Sequence, residues 1–387
     1  MFGLPPYALR RKINGGLNRL SRTRQLSRAL GLPYELQLVP TNACNLRCRA
    51  CPKTHYPTDN RHLSPDVYER VKNELFPTIR ILNLQGLGEP LLSPLFRRMV
   101  ADARAFGLKI KFVTNAMMLD VSLMEEIVRA GADVTVSLDG ACAETHEDSR
   151  TGSSFSVIMD NMKIMSALGE KYKDGGFHLL LNTVVTKRNV GELREILEIG
   201  ARCKILCLTL ISPGVGERED DYAQDVISRF PELLRRELPL LKESARAKGI
   251  QLFSPEFEKT ENVRQKNDAG RKAKPSRLFP GTCLDPWRSA YIDVDGWVRP
   301  CCRAVWIGMG NILEKPFRKI WNDVHYIRLR EHVNSDNPPE FCRGCTLWWG
   351  ITRGNELYTK ELEARGVILP QPPQIGVTDP AKEKAAI

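Results

Sequence analysis

The sequence of 387 residues predicts an α/β fold, a partial six-stranded (β/α)6 barrel of the TIM type followed by a small C-terminal unit. From about residue 35, short β-branched apolar runs alternate with helical patterns, as in repeated βα units. The alternation stops after six strands, and the chain is longer than one hydrophobic core usually organises. We therefore expect a barrel over residues 35–253, a polar linker over 254–280, a second unit over 281–358 and a tail, disordered at its end, over 359–387.

The composition is that of an ordinary globular protein. Hydrophobic residues make up 42% of the chain and charged residues 27%, which argues against wholesale disorder. No apolar run reaches the roughly 18–20 residues that span a bilayer, and the Arg-rich N-terminus lacks the apolar core of a secretory signal. A cytoplasmic location is the expectation.

The first 34 residues form a basic extension with seven Lys or Arg residues and no acidic residue. Apolar residues recur there at helical spacing: Leu9, Ile13, Leu17, Leu20, Leu26 and Leu30. One interpretation is a basic amphipathic helix that associates with an anionic membrane or another polyanion. The other is a helix packed on the barrel with solvated arginines, and Gly15 and Gly16 weaken the helix in either case. No specific contact with nucleic acid is predicted.

Each barrel element follows from its local pattern. The strands are expected at Glu35–Thr41, Arg80–Gly86, Lys109–Asn115, Asp133–Asp139, His178–Val185 and Ile205–Ile211. Helices are expected at Ser64–Leu75, Pro94–Phe106, Ser122–Ala130, Phe155–Leu168 and Val190–Ile199, where apolar residues recur every three or four positions. Right-handed crossovers bring the carboxyl ends of parallel strands to one mouth, where ligands bind.

Beyond the barrel the pattern changes. Ser212–Gly216 is rich in turn residues, Pro231–Ala247 predicts a helix, and Ser254–Pro280 is polar and basic, as expected of a linker or a flap. The second unit contains a hairpin pattern over Ser289–Pro300 with its turn at Asp295–Gly296.

Three cysteines, Cys44, Cys48 and Cys51, follow the first predicted strand in a C-x3-C-x2-C arrangement. Three soft thiolates within eight residues favour an iron–sulfur cluster. Three ligands leave one iron of a four-iron cluster open for another molecule. The alternative is a structural zinc with His55 as a fourth ligand.

This loop resembles that of the radical S-adenosylmethionine superfamily, and the segments after the next strands agree. Gly86-Leu-Gly88-Glu89-Pro90 is similar to the family's glycine–glutamate–proline motif, which holds the amino group of the methionine moiety. Glycines let the backbone approach a ligand, and a carboxylate beside an ammonium is an ordinary charge-assisted contact.

The resemblance also implies further contacts to S-adenosylmethionine. Ser137 and Asp139 lie in a segment similar to the one that contacts the ribose, Asn115 and Asn182 lie where polar groups face the nucleoside, and Arg150 resembles an arginine that pairs with the methionine carboxylate. The sequence departs from the family at Ala50, where many relatives have an aromatic residue.

The resemblance implies an activity. An electron from a donor such as flavodoxin or ferredoxin enters the cluster, S-adenosylmethionine is cleaved, and the resulting 5′-deoxyadenosyl radical takes a hydrogen atom from the substrate. The protein supplies binding, orientation and exclusion of water, while the cofactors supply the difficult chemistry.

The late cysteines resemble the SPASM/twitch extension of this family, which holds an auxiliary [4Fe-4S] cluster. The expected ligands are Cys283, Cys301, Cys342 and Cys345, and the absence of later cysteines implies one auxiliary cluster. A four-cysteine zinc ribbon is the alternative, and Cys302 is an alternative ligand to Cys301. The remaining cysteines, Cys142, Cys203 and Cys207, are expected to be small buried apolar residues.

The leading hypothesis is therefore a radical S-adenosylmethionine oxidoreductase that oxidises or cross-links a peptide, a sugar or an aminocyclitol. A redox-neutral epimerase or decarboxylase is the second hypothesis, and a non-catalytic iron–sulfur scaffold or maturation protein is the third. Trp287, Arg288 and Trp297 either line the substrate site or pack the second unit.

Overall fold

The computed structural model of the protein describes residues 7–55, 59–213, 224–254, 257, 283–302 and 304–343. The predicted tail, Cys345, most of the predicted linker and the side chain of His55 lie outside the described residues. No described helix is both long enough and apolar enough to cross a membrane.

Six parallel strands follow one another in the sheet in chain order, which confirms the predicted barrel architecture. They are β1 (Glu35–Leu38), β2 (Ile81–Leu84), β3 (Lys109–Thr114), β4 (Asp133–Ser137), β5 (His178–Val184) and β6 (Cys207–Ile211). Strand β1 is buried on both faces. Strand β3 alternates between buried and half-buried side chains.

The helices of the barrel unit lie before, between and after these strands. They are α1 (Ala8–Thr23), α2 (Pro52–His55), α3 (Pro65–Leu75), α4 (Phe96–Ala105), α5 (Val121–Arg129), α6 (Ala143–Ser149), α7 (Phe155–Lys171), α8 (Leu193–Arg202) and α9 (Pro231–Ala247). Polar caps fix where two of them begin, because the Ser64 side chain accepts from the Val67 amide and the Asp120 side chain accepts from the Leu123 amide.

The sheet is wider than the six predicted strands. A short seventh strand, β7 (Gln251–Phe253), pairs with β6. The sequence did not predict it, because three residues with two exposed side chains carry too little apolar pattern to mark a strand.

The second unit continues the same sheet. Its strands are β8 (Ser289–Ile292), β9 (Trp297–Arg299) and β10 (Gly310–Asn311), and its helices are α10 (Asp285–Arg288), α11 (Phe317–Trp321), α12 (Val324–His332) and α13 (Glu340–Arg343). Strand β8 pairs in parallel with β1 and antiparallel with β9. The predicted hairpin turn is present, with Gly296 at φ +81°, a conformation that favours glycine. The second unit is thus built onto the barrel edge.

Helix α1 forms, but its orientation is opposite to that of an ordinary amphipathic helix. Its buried side chains are polar: Arg11, Asn14, Asn18 and Ser21. They bond to backbone groups beneath the helix, with Arg11 Nη2 donating to the Phe76 carbonyl at 2.9 Å. The helix therefore packs on the protein, as one interpretation predicted, while its aliphatic side chains remain exposed.

Candidate functional site

The loop that carries Cys44, Cys48 and Cys51 is fixed by backbone hydrogen bonds on two sides. The Glu89 amide donates to the Ala43 carbonyl at 2.8 Å, and the Arg49 amide donates to the Ser149 carbonyl at 3.0 Å. These bonds tie the loop to the segment after β2 and to the end of α6. The cysteine loop is therefore held by the segment after β2 on one side and by α6 on the other.

One cavity of about 390 Å³ lies at the carboxyl ends of the strands, within the size range of small-molecule sites. Its lining includes eleven of the predicted site residues: Cys44, Cys48, Cys51, Gly86, Gly88, Glu89, Asn115, Ser137, Asp139, Arg150 and Asn182. Pro90 is buried beside it and begins a short 3-10 turn. Ala50 also lines the cavity, so no aromatic side chain stands at that position.

The glycines of the segment after β2 permit close approach. A Cβ atom at Gly88 would lie 2.4 Å from the Ala43 carbonyl oxygen, and one at Gly86 would lie 2.4 Å from Cγ1 of Val39. Neither position accommodates a side chain without displacing its neighbours. The Gly86 to Pro90 segment can therefore pack directly against the cysteine loop.

Glu89 is a buried carboxylate with three hydrogen-bond donors. The Thr114 hydroxyl donates at 2.7 Å, the Asn115 amide at 2.8 Å and the Leu91 amide at 3.3 Å. Burial nevertheless raises the pKa of Glu89 to about 7, because the opposing effects of these hydrogen bonds and of the nearby Arg150 charge are smaller. A cationic ligand in the cavity would favour the ionised form.

Asp139 is held by three contacts of its own carboxylate. It forms an ion pair with Nε of Arg150 at 2.8 Å and accepts hydrogen bonds from the Val184 amide and the Ser149 hydroxyl. Nη1 of Arg150 lies 4.0 Å from Sγ of Cys48. Arg150 thus stands between the cysteine loop and the end of β4.

His146 holds the backbone of Asp139 in place. Its side chain is fully buried, and its Nδ1 accepts a hydrogen bond from the Asp139 amide at 3.2 Å. Burial, with a smaller contribution from nearby Arg150, lowers the pKa of His146 to about 4. The ring is therefore neutral at physiological pH and able to accept this bond.

The sequence did not point to three residues of this site: Thr114, which bonds to Glu89, His146, and Asn45, whose Oδ1 accepts from Asn115 Nδ2 at 2.8 Å. Asn45 lies inside the cysteine motif, so its position could have predicted that it belongs to the site. His146 lies one helical turn before Arg150, which was a weaker signal. Thr114 is an ordinary strand residue until the strands are assembled.

These residues fit an iron–sulfur cluster with S-adenosylmethionine. Burial raises the pKa of Cys48 to about 11, so the thiol loses its proton only with a positively charged partner such as a metal. Among the described residues, no three His, Cys, Asp or Glu side chains converge on a single metal ion. A four-iron cluster differs, since each cysteine binds a separate iron.

The second cysteine group is spread over three elements. Cys283 precedes α10 and is held by Asn334, whose side chain accepts from its amide at 2.9 Å and donates to its carbonyl at 3.0 Å. Cys301 and Cys342 pack against the main core, whereas Cys302 packs against a small cluster with Val39 and Tyr291. The adjacent cysteines 301 and 302 thus contact different parts of the protein.

The expectation of burial for the inner cysteines is wrong for Cys142. Its side chain is exposed, because it occupies the cap position before α6, where the chain leaves the sheet. Cys203 is buried as predicted, and Cys207 is half-buried.

Of the three residues considered for a substrate site or for packing, the two tryptophans are buried and Arg288 is exposed. Trp287 is fully buried and its Nε1 donates to the Leu26 carbonyl at 2.7 Å. Arg288 forms an ion pair with Glu35 at 2.9 Å. Trp297 is buried within the hairpin.

Two family models match this chain. The radical SAM superfamily model matches residues 38–199, and an iron–sulfur cluster-binding domain, SPASM, matches residues 283–346. The first match spans the strands around the cavity and the second spans the later cysteines. Together they confirm the resemblance inferred from the cysteine motifs and the cofactors it implied: a [4Fe-4S] cluster, S-adenosylmethionine and auxiliary iron–sulfur binding.

Curated relatives are similar over much of the chain. The AdoMet-dependent heme synthase of Methanosarcina barkeri is 25% identical over 306 residues, which are 74% of this chain and 82% of that protein. The mycofactocin maturase MftC of Mycolicibacterium smegmatis is 31% identical over 180 residues, which are 46% of this chain and 44% of that protein.

Among solved structures, Streptococcus suis SuiB bound to the precursor peptide SuiA superposes with a TM-score of 0.60. The sequences are 15% identical, and the match covers 85% of this chain and 72% of SuiB. At this identity the similarity supports the fold.

Proposed function

Because the chain belongs to the radical SAM superfamily and carries a SPASM domain, we propose that it abstracts a hydrogen atom from a peptide substrate and releases an oxidised or cross-linked product. The convergence of three cysteines with the polar ends of β2 to β5 on one cavity carries this proposal. When bound, the cluster and S-adenosylmethionine supply a 5′-deoxyadenosyl radical.

Each residue around the cavity has a proposed role. Cys44, Cys48 and Cys51 hold three irons of the first cluster, and the buried carboxylate of Glu89 binds the amino group of S-adenosylmethionine. Its burial and its raised pKa, which a bound cation would lower, support this role. Gly86, Gly88 and Glu89 line the cavity, and in this proposal the backbone from Gly86 to Pro90 lies against the bound methionine moiety.

The nucleoside and the carboxylate have separate partners. Ser137, Asp139, Asn115 and Asn182 contact the nucleoside, and Arg150 pairs with the methionine carboxylate. Arg150 is only 13% exposed at its side chain and already lies between Asp139 and Cys48. A short movement of this guanidinium exchanges one carboxylate partner for another.

One auxiliary cluster is proposed at Cys283, Cys301, Cys342 and Cys345. Cys301 and Cys302 pack against different groups of apolar residues, so the two thiols face different parts of the protein, and Cys301 is the proposed ligand. These cysteines would hold a group that supplies one-electron redox chemistry, so that the substrate radical could lose an electron and the net reaction would be an oxidation. A small electron carrier such as flavodoxin or ferredoxin is the proposed source of the electron for the first cluster.

The relatives favour two substrate classes. MftC is named a maturase, and SuiB, which shares this fold, is bound to a precursor peptide; together they favour a peptide in this proposal. The similarity to the heme synthase, which extends over most of both chains, supports a small-molecule substrate as the second candidate.

The proposed activity is tested by anaerobic incubation of the reconstituted protein with S-adenosylmethionine and dithionite. We expect 5′-deoxyadenosine from the wild-type protein and none from the variant with Cys44, Cys48 and Cys51 all replaced by Ala, which should also lose about four irons. Cys142→Ser, an exposed cysteine outside the cavity, is the matched control. Unchanged 5′-deoxyadenosine formation in the triple variant contradicts the proposal.

The number of S-adenosylmethionine molecules consumed per product separates the proposed oxidation from a redox-neutral reaction. With substrate present, net oxidation consumes one S-adenosylmethionine for each product. An epimerase or decarboxylase that regenerates its cofactor consumes fewer, and a non-catalytic scaffold consumes none beyond background.

A further inference from the structure

The exposed side of α1 carries a stripe of four large aliphatic side chains. Leu9 and Ile13 are 66% and 56% exposed, and Leu17 and Leu20 are 39% and 45% exposed. At about 100° per residue these positions fall within an arc of ~80° on the helix surface. We call this surface the leucine stripe. Four adjacent aliphatic side chains in water are unusual for a helix that is anchored to a folded protein.

The anchoring keeps the leucine stripe outside. The Asn14 side chain accepts from the Leu32 amide at 2.8 Å and donates to its carbonyl at 3.3 Å. The Asn18 side chain donates to the Leu32 and Trp287 carbonyls. Turning the helix to bury its leucines would leave these buried polar groups without partners, which is costly.

Positive charge surrounds the leucine stripe. Six basic residues lie on α1 or just after it: Arg10, Lys12, Arg19, Arg22, Arg24 and Arg28. Five are exposed and Arg22 is half-buried. Within the described residues none of them forms an ion pair with a carboxylate, and residues 1–34 contain no acidic side chain. Their charge is therefore available to an anionic surface.

Helix α1 lies at the end of the barrel opposite the cavity. Its anchors are the backbone at Leu32, which precedes β1, at Thr78, which precedes β2, and at Trp287, which precedes β8. The cavity lies at the carboxyl ends of these parallel strands. A surface that binds α1 thus leaves the cavity accessible.

We propose that α1 binds the surface of an anionic lipid bilayer. The leucine stripe enters the boundary between headgroups and acyl chains, and the basic residues contact lipid phosphates.

A second copy of the chain is a poorer partner, since it would bring two sets of like charges together. A nucleic acid would use the charges alone. This proposal is independent of the proposed activity.

The test is sedimentation of the full chain with vesicles. One set contains phosphatidylcholine with about one third phosphatidylglycerol, and the other contains phosphatidylcholine only. We expect binding to the anionic vesicles that weakens as salt rises above about 150 mM. Ile13→Ser with Leu17→Ser, and separately Lys12→Glu with Arg19→Glu, should each reduce the bound fraction at limiting lipid by roughly tenfold.

Matched variants elsewhere on the surface control for general changes in hydrophobicity and charge. Val157→Ser with Leu240→Ser removes two comparably exposed aliphatic side chains, and Arg194→Glu with Arg202→Glu reverses two exposed charges on α8. Both should bind vesicles like the wild-type protein. All variants should keep the wild-type melting temperature within a few degrees, because the replaced side chains are exposed.

Several results would overturn the proposal. They are no binding to anionic vesicles, binding that both α1 variants retain, and binding that depends on the charges but not on the leucine stripe. A wild-type dimer in light scattering that Ile13→Ser with Leu17→Ser converts to a monomer would assign the stripe to a second copy instead.

Discussion

The two cysteine groups of this protein are built in contrasting ways. Cys44, Cys48 and Cys51 lie in one loop that backbone hydrogen bonds attach to two neighbouring segments. Cys283, Cys301 and Cys342 come from a loop, a hairpin and a helix, and Asn334 holds the first of them. The first group therefore lies in one short loop that is held by the segment after β2 and by α6. The second group is assembled only when elements that are distant in the sequence pack together.

The largest expected effect tests which cysteines form the second group. Cys301→Ser should lose about four irons and substrate turnover, because one ligand of the proposed auxiliary cluster is removed. Uncoupled cleavage of S-adenosylmethionine should continue at the first group. Cys302→Ser is the matched control and should change neither iron content nor turnover. Iron analysis with Mössbauer spectroscopy decides between them, and the reverse pattern would assign the ligand to Cys302.

Acid should destabilise the support of the first group through His146. Its pKa is about 4 in the folded protein and about 6.5 when unfolded. The unfolded state therefore binds the proton first, and stability falls as pH drops from about 6.5 to 4, by about 3 kcal/mol.

Urea unfolding at several pH values measures this loss. His146→Gln should lower stability at neutral pH but flatten the acid slope. His62→Gln, which replaces an exposed ring, should leave the slope unchanged. An equal slope in the wild-type protein and His146→Gln would contradict the prediction.

Glu89 tests whether the support of the loop also binds the cofactor. Glu89→Ala should weaken binding of S-adenosylmethionine roughly 30-fold, or about 2 kcal/mol, since a charged hydrogen-bond acceptor is lost. The iron content should not change. Calorimetry on the reconstituted protein measures the affinity. Glu89→Gln, which keeps the shape, should show a similar loss, and Glu195→Ala on the exposed face of α8 should show none.

The smallest effect is expected where Asn334 holds Cys283. Asn334→Ala removes the two hydrogen bonds to Cys283 and one to Gln25 at a half-buried position, which costs about 1 kcal/mol. Iron of the second group should then be lost to a chelator roughly fivefold faster, while iron of the first group is lost at the wild-type rate. Asn73→Ala, an exposed asparagine of α3, is the control. Equal acceleration at both groups would argue that the second group is not separately supported.

The sequence could predict what is local. The six barrel strands, the hairpin turn at Gly296 and the C-x3-C-x2-C loop all rest on patterns within about ten residues. Strand β7 was missed because it gains its stability from pairing with β6 and not from its own side chains. The partners of Thr114 and His146 depend on which strands become neighbours, which no local pattern contains.

The orientation of α1 shows the same limit. Periodicity identified the aliphatic and polar faces correctly, but amphipathic patterns are ordinarily interpreted with the apolar face inward. Here the asparagines bond to backbone carbonyls just before the amino ends of the strands, and those bonds decide which face is buried. Only the three-dimensional structure shows which carbonyls lie next to these asparagines.

The attachment of α1 has a consequence for synthesis of the chain. Asn18 bonds to a carbonyl 269 positions later, at Trp287, and the Ala29 amide bonds to Asn322, 293 positions later. A ribosome adding about 5–20 residues per second needs roughly 15–60 s to make that part of the chain. During this interval α1 has been synthesised, but the residues on which it packs have not. Helix α1 is thus synthesised well before the residues on which it docks, and a chain that stops before Trp287 lacks one of the anchors that turn the leucines outward.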